Sequence, residues 1–391
     1  MDETERPQKA PTLLKTDCRF FDGAKPCVPN KRSGAECVTC DIYDPVTKRI
    51  LLIKLDAMGD VLRTTFLLPL IHRKWPDCHL TWLTQPEAVP LLTGNPFIDA
   101  IWTPTPAILA RLQAQEFFAV ISPSNDHDSA AYATMARSKH VFGYRLLATG
   151  NIEPVSEAAR YWFEMGAFDR LRRQNSISYQ EIMCRIVDVE ESGAKTLPRP
   201  GYTINLAAQK KIKAQLQQMG VNHGGGFIGI NVGNGKRWPK KMLSADHIVE
   251  LIQLLKGVLT RRTICLLGGA AEKEKLNEIV IKSTGVVAPD TSTSLDDLGA
   301  LVGQLDLLIT GDTLALHLAS ALDVPCVALF GPTSMTEIYP YNGLITKIAS
   351  KDLDCLGCYG DCNKKHHCMR AIDLAQIVTA VKNQLKGQGP K

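Results

Sequence analysis

The chain has 391 residues, 45% of them hydrophobic and 22% charged, with a net charge of +5. That length exceeds one ordinary domain and suits two, and the composition is that of a globular protein rather than a disordered or fibrous one. The mild positive charge gives no reason to expect nucleic acid as a partner, and no apolar run approaches the ~20 residues that span a bilayer.

The first 17 residues are polar and read as disordered, with no apolar stretch of the kind a secretory leader needs. A cytoplasmic protein is therefore the expectation. Residues 18–47 form a cysteine-bearing appendage with almost no hydrophobic periodicity. From Arg49 onward strands and helices alternate, with strand-like runs at 50–55, 79–84, 99–102, 117–122 and 140–144. Residues 151–200 read mostly as helices, and the breaker-rich Lys195–Gly201 reads as a link. The alternation restarts with strands near 226–232, 263–268, 285–288, 306–310 and 324–330. Helices are expected near 244–257, 271–283, 295–303 and 314–322, and a last one at about 371–386. Such a pattern predicts an α/β protein with two Rossmann-like domains, at 48–195 and 202–350, followed by a cysteine-rich segment and helix at 351–391. Neither half carries a G-x-G-x-x-G dinucleotide fingerprint.

Four strand ends carry the chemistry. Residues 50–68, ILLIKLDAMGDVLRTTFLL, run from a buried-type strand through a turn holding Asp56 and Asp60 into a helix. Residues 227–239, FIGINVGNGKRWP, end a strand in a Gly/Asn turn followed by Lys236 and Arg237. Residues 263–274, TICLLGGAAEKE, place Glu272 just after a Gly-Gly turn, where an acidic residue can accept from ribose hydroxyls. Residues 306–333, DLLITGDTLALHLASALDVPCVALFGPT, form a βαβ unit in which Asp312 and Thr313 stand where a helix begins. Unpaired N–H groups and the positive dipole end make such a turn suited to an anion, although an Asp/Thr pair there can simply start the helix. His317 lies one turn further on.

Taken together, the GDVLRTT, KRWP, GG-acidic and GDTLALHLASAL…PCVALFGPT motifs resemble glycosyltransferase family 9, the heptosyltransferase-like enzymes of lipopolysaccharide core assembly, over roughly residues 48 to 380. The resemblance implies the GT-B architecture, two Rossmann-like domains facing a central cleft, with a last helix that often crosses back onto the first domain. It assigns Asp60 the role of base and matches Lys236, two residues before Trp238-Pro239, to the diphosphate cation, with Arg237 as helper. Asp312, Thr313 and the N–H groups of the helix from Leu314 would hold the diphosphate from the other side, and His317 matches the histidine of the family's DTxxxHxxxA pattern. The family usually has glycine after Asp-Thr, whereas this chain has Leu314. Asp56 is the fallback carboxylate. Enzymes of this architecture usually work without a divalent metal, so no catalytic metal is expected.

Eight of the 12 cysteines lie in two groups. Cys18, Cys27, Cys37 and Cys40 stand near the start, and Cys355, Cys358, Cys362 and Cys368 near the end, with His366 and His367 beside the last. Thiols clustered in segments too polar for a core suit structural zinc, iron or an iron–sulfur cluster, whereas a reducing cytosol disfavours disulfides. Neither group is expected at the cleft, and a returning tail would let the two pool ligands. Cys78, Cys184, Cys265 and Cys326 read as small core residues. Basic residues thicken between Arg137 and Arg173, either as a solvated helix face or as an attraction for acidic glycan or a membrane surface.

The leading expectation is an inverting glycosyltransferase moving a sugar, heptose among the candidates, from a nucleotide-diphosphate donor such as ADP-heptose to a hydroxyl of a lipopolysaccharide-type or other surface glycan. It would work in the cytoplasm, at the inner face of the membrane. A sugar-nucleotide epimerase of similar architecture, or an inactive metal-binding scaffold or redox sensor, are the alternatives.

Overall fold

The computed structural model describes residues 13–21, 23, 25–189, 196–221, 225–233, 241–259, 262–351, 353, 355–360 and 367–386. The chain opens with the short helix α1 (Val28–Ser33). In the first half come strands β1 (Lys48–Ile53), β2 (Cys78–Leu83), β3 (Ala100–Trp102), β4 (Glu116–Ser122), β5 (Arg137–Leu146) and β6 (Ile152–Pro154). Helices α2 (Met58–Thr64), α3 (Leu68–Lys74), α4 (Val89–Leu92), α5 (Pro106–Ala114) and α6 (His127–Met135) connect them, and α7 (Glu157–Ala167), α8 (Asp169–Gln174) and α9 (Tyr179–Val187) follow. The second half starts with α10 (Leu206–Gln218) and has strands β7 (Phe227–Asn231), β8 (Thr263–Leu267), β9 (Val286–Val287), β10 (Leu307–Gly311), β11 (Cys326–Phe330) and β12 (Ile345–Ala349). Its helices are α11 (Ala245–Lys256), α12 (Lys273–Lys282), α13 (Leu295–Val302), α14 (Leu314–Ala321) and α15 (Leu374–Leu385).

Central strands such as β7, β10 and β11 are buried along their whole length, as parallel strands covered by helices on both faces must be. Most longer helices are capped locally: Ser156, Asn205, Ser244, Ser294 and Asp373 accept from early N–H groups, and Ser178 with Glu181 closes a capping box.

The two sheets run β3-β2-β1-β4-β5-β6 and β12-β11-β10-β7-β8-β9. Counted within each half, both orders are 3-2-1-4-5-6, so each sheet reverses direction between its first and fourth strands. The outer strands β6 and β12 escaped the sequence reading. β6 is three residues inside a stretch that reads as helical, and it pairs antiparallel with β5. β12 is only half-buried at a sheet edge and pairs parallel with β11.

The halves share apolar packing. Leu62 of α2 and Leu91 of α4 are buried in the same cluster as Leu316 and Leu318 of α14, and Met58 and Tyr339 touch the cores of both halves. Polar ties add to this: Tyr179 N–H donates to Glu337 O at 3.1 Å, and Gln180 Nε2 to the Tyr341 hydroxyl at 2.9 Å. The last helix does not cross back onto the first half. Its stripe Leu374, Ile377, Val381, Leu385 buries with Ile248, Leu251 and Ile252 of α11, which offer an apolar face in the second half.

Candidate active site

At the first reversal, the end of β1 is charged. Lys54 is buried and its ammonium lies 3.0 Å from the Asp56 carboxylate, which also accepts from the Ser124 hydroxyl just beyond β4. Burial works against both charges, but their mutual attraction wins: it holds the lysine up and the carboxyl down. Asp56 is thus committed to a structural pair, which makes it a poor fallback for Asp60.

Asp60 sits in the first turn of α2, whose N-cap is Ala57. Its carboxylate is about one-third exposed and lies 2.7 Å from Arg63 Nη2, one turn along. Arg63 is itself mostly buried, its side chain 11% exposed, with its guanidinium carbon 3.6 Å from the centre of the Tyr179 ring. Burial opposes its charge, yet Asp60, Tyr179 and Glu337 together keep it firmly protonated. The Tyr179 hydroxyl is 2.7 Å from Thr64 Oγ1, which donates back to the Asp60 carbonyl at 2.6 Å.

Gly59 is where the two halves come closest here. A side-chain carbon on it would lie 3.0 Å from His317 Cδ2 and 3.7 Å from the Leu314 Cα. The glycine therefore lets the start of α2 rest on the start of α14, rather than approach a ligand. His317 is buried, and burial together with Arg63 pushes its ring down to about 4, so it is neutral at physiological pH. Its Nε2 is 4.0 Å from Asp312, which in turn lies 3.7 Å from Lys241. Burial pushes the Asp312 carboxyl up, but Lys241, His317 and Arg63 outweigh it and hold it low.

The second reversal is closed without charge. Asn231 Nδ2, at the end of β7, lies within donating distance of the Gly233 carbonyl (2.9 Å), Thr310 Oγ1 (2.9 Å) and Thr313 Oγ1 (3.1 Å). The two threonine hydroxyls are 3.0 Å apart. Thr313 N-caps α14 in extended conformation with its hydroxyl turned to this network, not to the helix. Glu272 folds back to accept from Gly269 N–H at 3.0 Å and packs against Gly233, so its carboxylate has a local capping function. Lys236 and Arg237 lie outside the described residues, as does Cys362.

A third layer had no signal in the sequence. Glu337 is buried beside Arg63 and Arg172, with Arg172 Nε 3.9 Å from its carboxylate. Burial pushes its carboxyl up despite both arginines. Arg172 also stacks 4.1 Å from the Tyr359 ring centre. Within the basic run from Arg137 to Arg173, Arg172 is thus turned inward, while Arg145 pairs with Glu153 at the surface. Only Arg63 could have been found beforehand, because it follows Asp60 at helical spacing.

The carboxyl-end cysteine segment does reach this region, contrary to the expectation. Gly357 N–H donates to Gly331 O at 2.9 Å and Tyr359 N–H to Pro332 O at 2.8 Å, laying the segment along the turn after β11. The Tyr359 hydroxyl then accepts from Ser334 N–H at 3.2 Å. Cys368 packs on Gly331, where an added Cβ would meet its sulfur at 2.4 Å. The other group lies elsewhere: Cys18, Cys27, Cys37 and Cys40 line one small, almost wholly apolar cavity in the opening segment. That segment is pinned to the first sheet by Arg19, which donates to Asp44, Asp99 and the Cys78 carbonyl. The described members of the two groups therefore sit on different halves and do not pool. Among the described residues no three His, Cys, Asp or Glu side chains are grouped to hold a metal ion. Cys78, Cys184, Cys265 and Cys326 are buried core residues as expected.

Fold and site together define a two-domain α/β protein with its polar residues gathered at two facing strand reversals. The family described as "Glycosyltransferase family 9 (heptosyltransferase)" matches residues 107–368, and the chain belongs to that family. The match includes Asp312, Thr313 and His317 but begins after Asp60. Lipooligosaccharide heptosyltransferase 2 of Campylobacter jejuni is 29% identical over 174 residues, which is 43% of this chain and 51% of that protein. The chain thus spans about half the length of this curated relative. Among solved structures, a glycosyl transferase family 9 protein from Veillonella parvula superposes with TM-score 0.70 at 16% identity, covering 88% of this chain and 99% of the other. The E. coli ADP-heptose lps heptosyltransferase II gives TM-score 0.63 at 18% identity, covering 86% and 98%. At such identities these two establish a shared fold.

Proposed function

We propose that the chain is an inverting glycosyltransferase that moves a sugar from a nucleoside-diphosphate donor, ADP-heptose or a close analogue, to a hydroxyl of a lipopolysaccharide-type glycan. One observation supports the reading: at Gly59 the start of α2, which carries Asp60, rests against the start of α14, so the candidate base and the candidate anion-accepting turn lie on adjoining elements. Asp60 takes the acceptor proton, and Arg63 fixes the carboxylate's direction. Lys236, helped by Arg237, offsets the diphosphate charge. Asp312, Thr313 and His317 shape the turn, and the backbone N–H groups of α14 contribute donors that need no reorganisation as charge grows. Glu272 borders the donor side. The acceptor being a glycolipid, the protein works on the cytoplasmic side and touches the inner face of the membrane peripherally. Among the described residues no helix is long and apolar enough to cross a membrane.

Asp60→Asn should lower transfer by on the order of 10²–10⁴-fold while donor affinity stays near wild type. Lys236→Ala should weaken both donor binding and turnover, because the diphosphate is charged in ground and transition states alike. Thermal-shift screening of ADP-, UDP- and GDP-sugars, followed by transfer assays, checks both. Isomerisation of a donor without acceptor would make the protein an epimerase instead, and donor binding without transfer or hydrolysis would make it a scaffold.

For the cysteines we propose a structural zinc or iron held by Cys18, Cys27, Cys37 and Cys40, which line one cavity and offer an all-thiol donor set but are not gathered to ligand distances in this structure. Cys355, Cys358, Cys362 and Cys368 are the second candidate set. The metal would order a segment that has almost no core of its own. Elemental analysis of protein purified without oxygen tests this: no zinc and no iron, with eight titratable thiols, would refute it.

A further inference from the structure

We propose that the chain has a second anion site, for a phosphate-bearing ligand, at the amino end of its first sheet beneath the cysteine-bearing segment. A cavity of about 470 Å³ opens there, between Phe20, Phe21, Gly23 and Lys25–Val28 on one side and the strands β1 to β3 on the other. It lies at the opposite end of the strands from Asp60, which follows the carboxyl end of β1.

The sheet register shows why this place is unusual. Arg49 pairs with His79, and Thr81 with Ala100, so their side chains share one sheet face with Leu51, Ile53 and Leu83 further along. Where α5 covers that face it is apolar, with Leu51, Ile53 and Leu83 packed around Leu112. Where α5 ends, at Arg111 and Gln115, the same face turns basic and polar and is left open as a cavity. Its described lining includes Arg49 and Arg111, together with Arg19, which is paired with Asp44 and Asp99.

Arg19 and Asp99 explain each other, since they form an ion pair at 2.6 Å that fastens the opening segment. Arg49 and Arg111 have no acidic partner among the described residues, and His79 Nδ1 is buried without a hydrogen-bond partner. Two guanidinium groups facing one cavity suit a dianion better than a single carboxylate, because guanidinium forks match phosphate oxygens in pairs. Trp102, with Arg111 6.0 Å from its ring centre, adds a flat wall against which a ring attached to the phosphate can lie. The ligand class is therefore a phosphomonoester or diphosphate, either soluble or as a lipid headgroup.

Calorimetric titration of the full chain with inorganic pyrophosphate, run in wild type and in Lys236→Ala to separate binding in the catalytic cleft, tests the site. Sedimentation with phosphatidylcholine vesicles, with and without phosphatidic acid, forms the second arm. We expect saturable binding in at least one arm, weakened on the order of tenfold or more in Arg49→Gln/Arg111→Gln and retained in Arg49→Lys/Arg111→Lys and in Asp60→Asn. Pyrophosphate binding identifies a soluble ligand, and binding confined to phosphatidic acid vesicles identifies a headgroup. No binding in either arm, or equal binding by the glutamine variant with an unchanged melting temperature, overturns the proposal. Because Asp60→Asn disables the catalytic reading without touching these residues, the two proposals fail separately.

Discussion

The two strand reversals are built on the same topology and closed by opposite chemistry. After β1 and β4, a buried lysine, a carboxylate and a serine form a charged bridge, Lys54–Asp56–Ser124. After β7 and β10, one amide and two hydroxyls, Asn231, Thr310 and Thr313, do the same work with no net charge. The difference suits what each end would hold. A carboxylate base beside the first reversal tolerates a neighbouring ion pair that is already neutralised. A diphosphate at the second would meet a neutral bridge, with the Asp312–Lys241 pair, 3.7 Å apart, beside the start of α14.

The comparison breaks most visibly at Asp56. Asp56→Ala strands a buried Lys54 charge, so unfolding stability should fall by about 3–5 kcal/mol, and adding Lys54→Met should restore most of it. Urea unfolding of the single and double variants measures this. If the single variant costs no more than an ordinary surface change, the bridge is not what closes the first reversal.

Acidification comes next. His317 has its folded value pushed down to about 4 from an ordinary 6.5, so the unfolded chain takes up its proton first. Its contribution is complete above pH 6.5 and is lost as pH falls toward 4, by ~3 kcal/mol at most. Asp312, also held low, loses its contribution in the same direction on acidification. Glu337, held high, has the opposite sign: its contribution is present below the ordinary carboxyl range and is lost as pH rises through the raised value. His317→Gln should therefore flatten the stability profile between pH 6.5 and 4, as read by urea unfolding at a series of pH values. An unchanged slope would show that the ring is not buried against Gly59.

The smallest effect is expected at Asn231. Asn231→Ala removes a donor shared by three oxygens but strands no charge, so a loss of about 1–3 kcal/mol is expected. Donor affinity should fall along with it as the turn around Thr313 loosens, while Asp56→Ala leaves donor affinity much less changed. Equal effects on donor binding would remove the distinction between the two reversals.

Much of this was legible beforehand. Apolar runs such as Leu307–Thr310 and Val324–Phe330 read as strands buried on both faces, and each ended at glycine, so the turns at Thr313 and Thr333 stood out, as did the Gly59-Asp60 turn after the run at 50–55. The sequence thereby determined the alternation, the two-sheet α/β class and the family, because period and turn chemistry are local properties. Tertiary structure alone decided the rest. Whether α15 lay on the first half or the second depended on which apolar face was vacant, and α11 supplied it. Asp56 and Asp60 look alike in the sequence, yet Lys54 and Ser124, brought together from β1 and β4, bind one of them and leave the other to Arg63. Glu337, Arg172 and Tyr359 are far apart along the chain and meet only because the segment after Cys355 lies along the turn at Gly331. Burial, and with it the charge state of His317 and Glu337, is a property of those meetings, and no spacing of residues announces it.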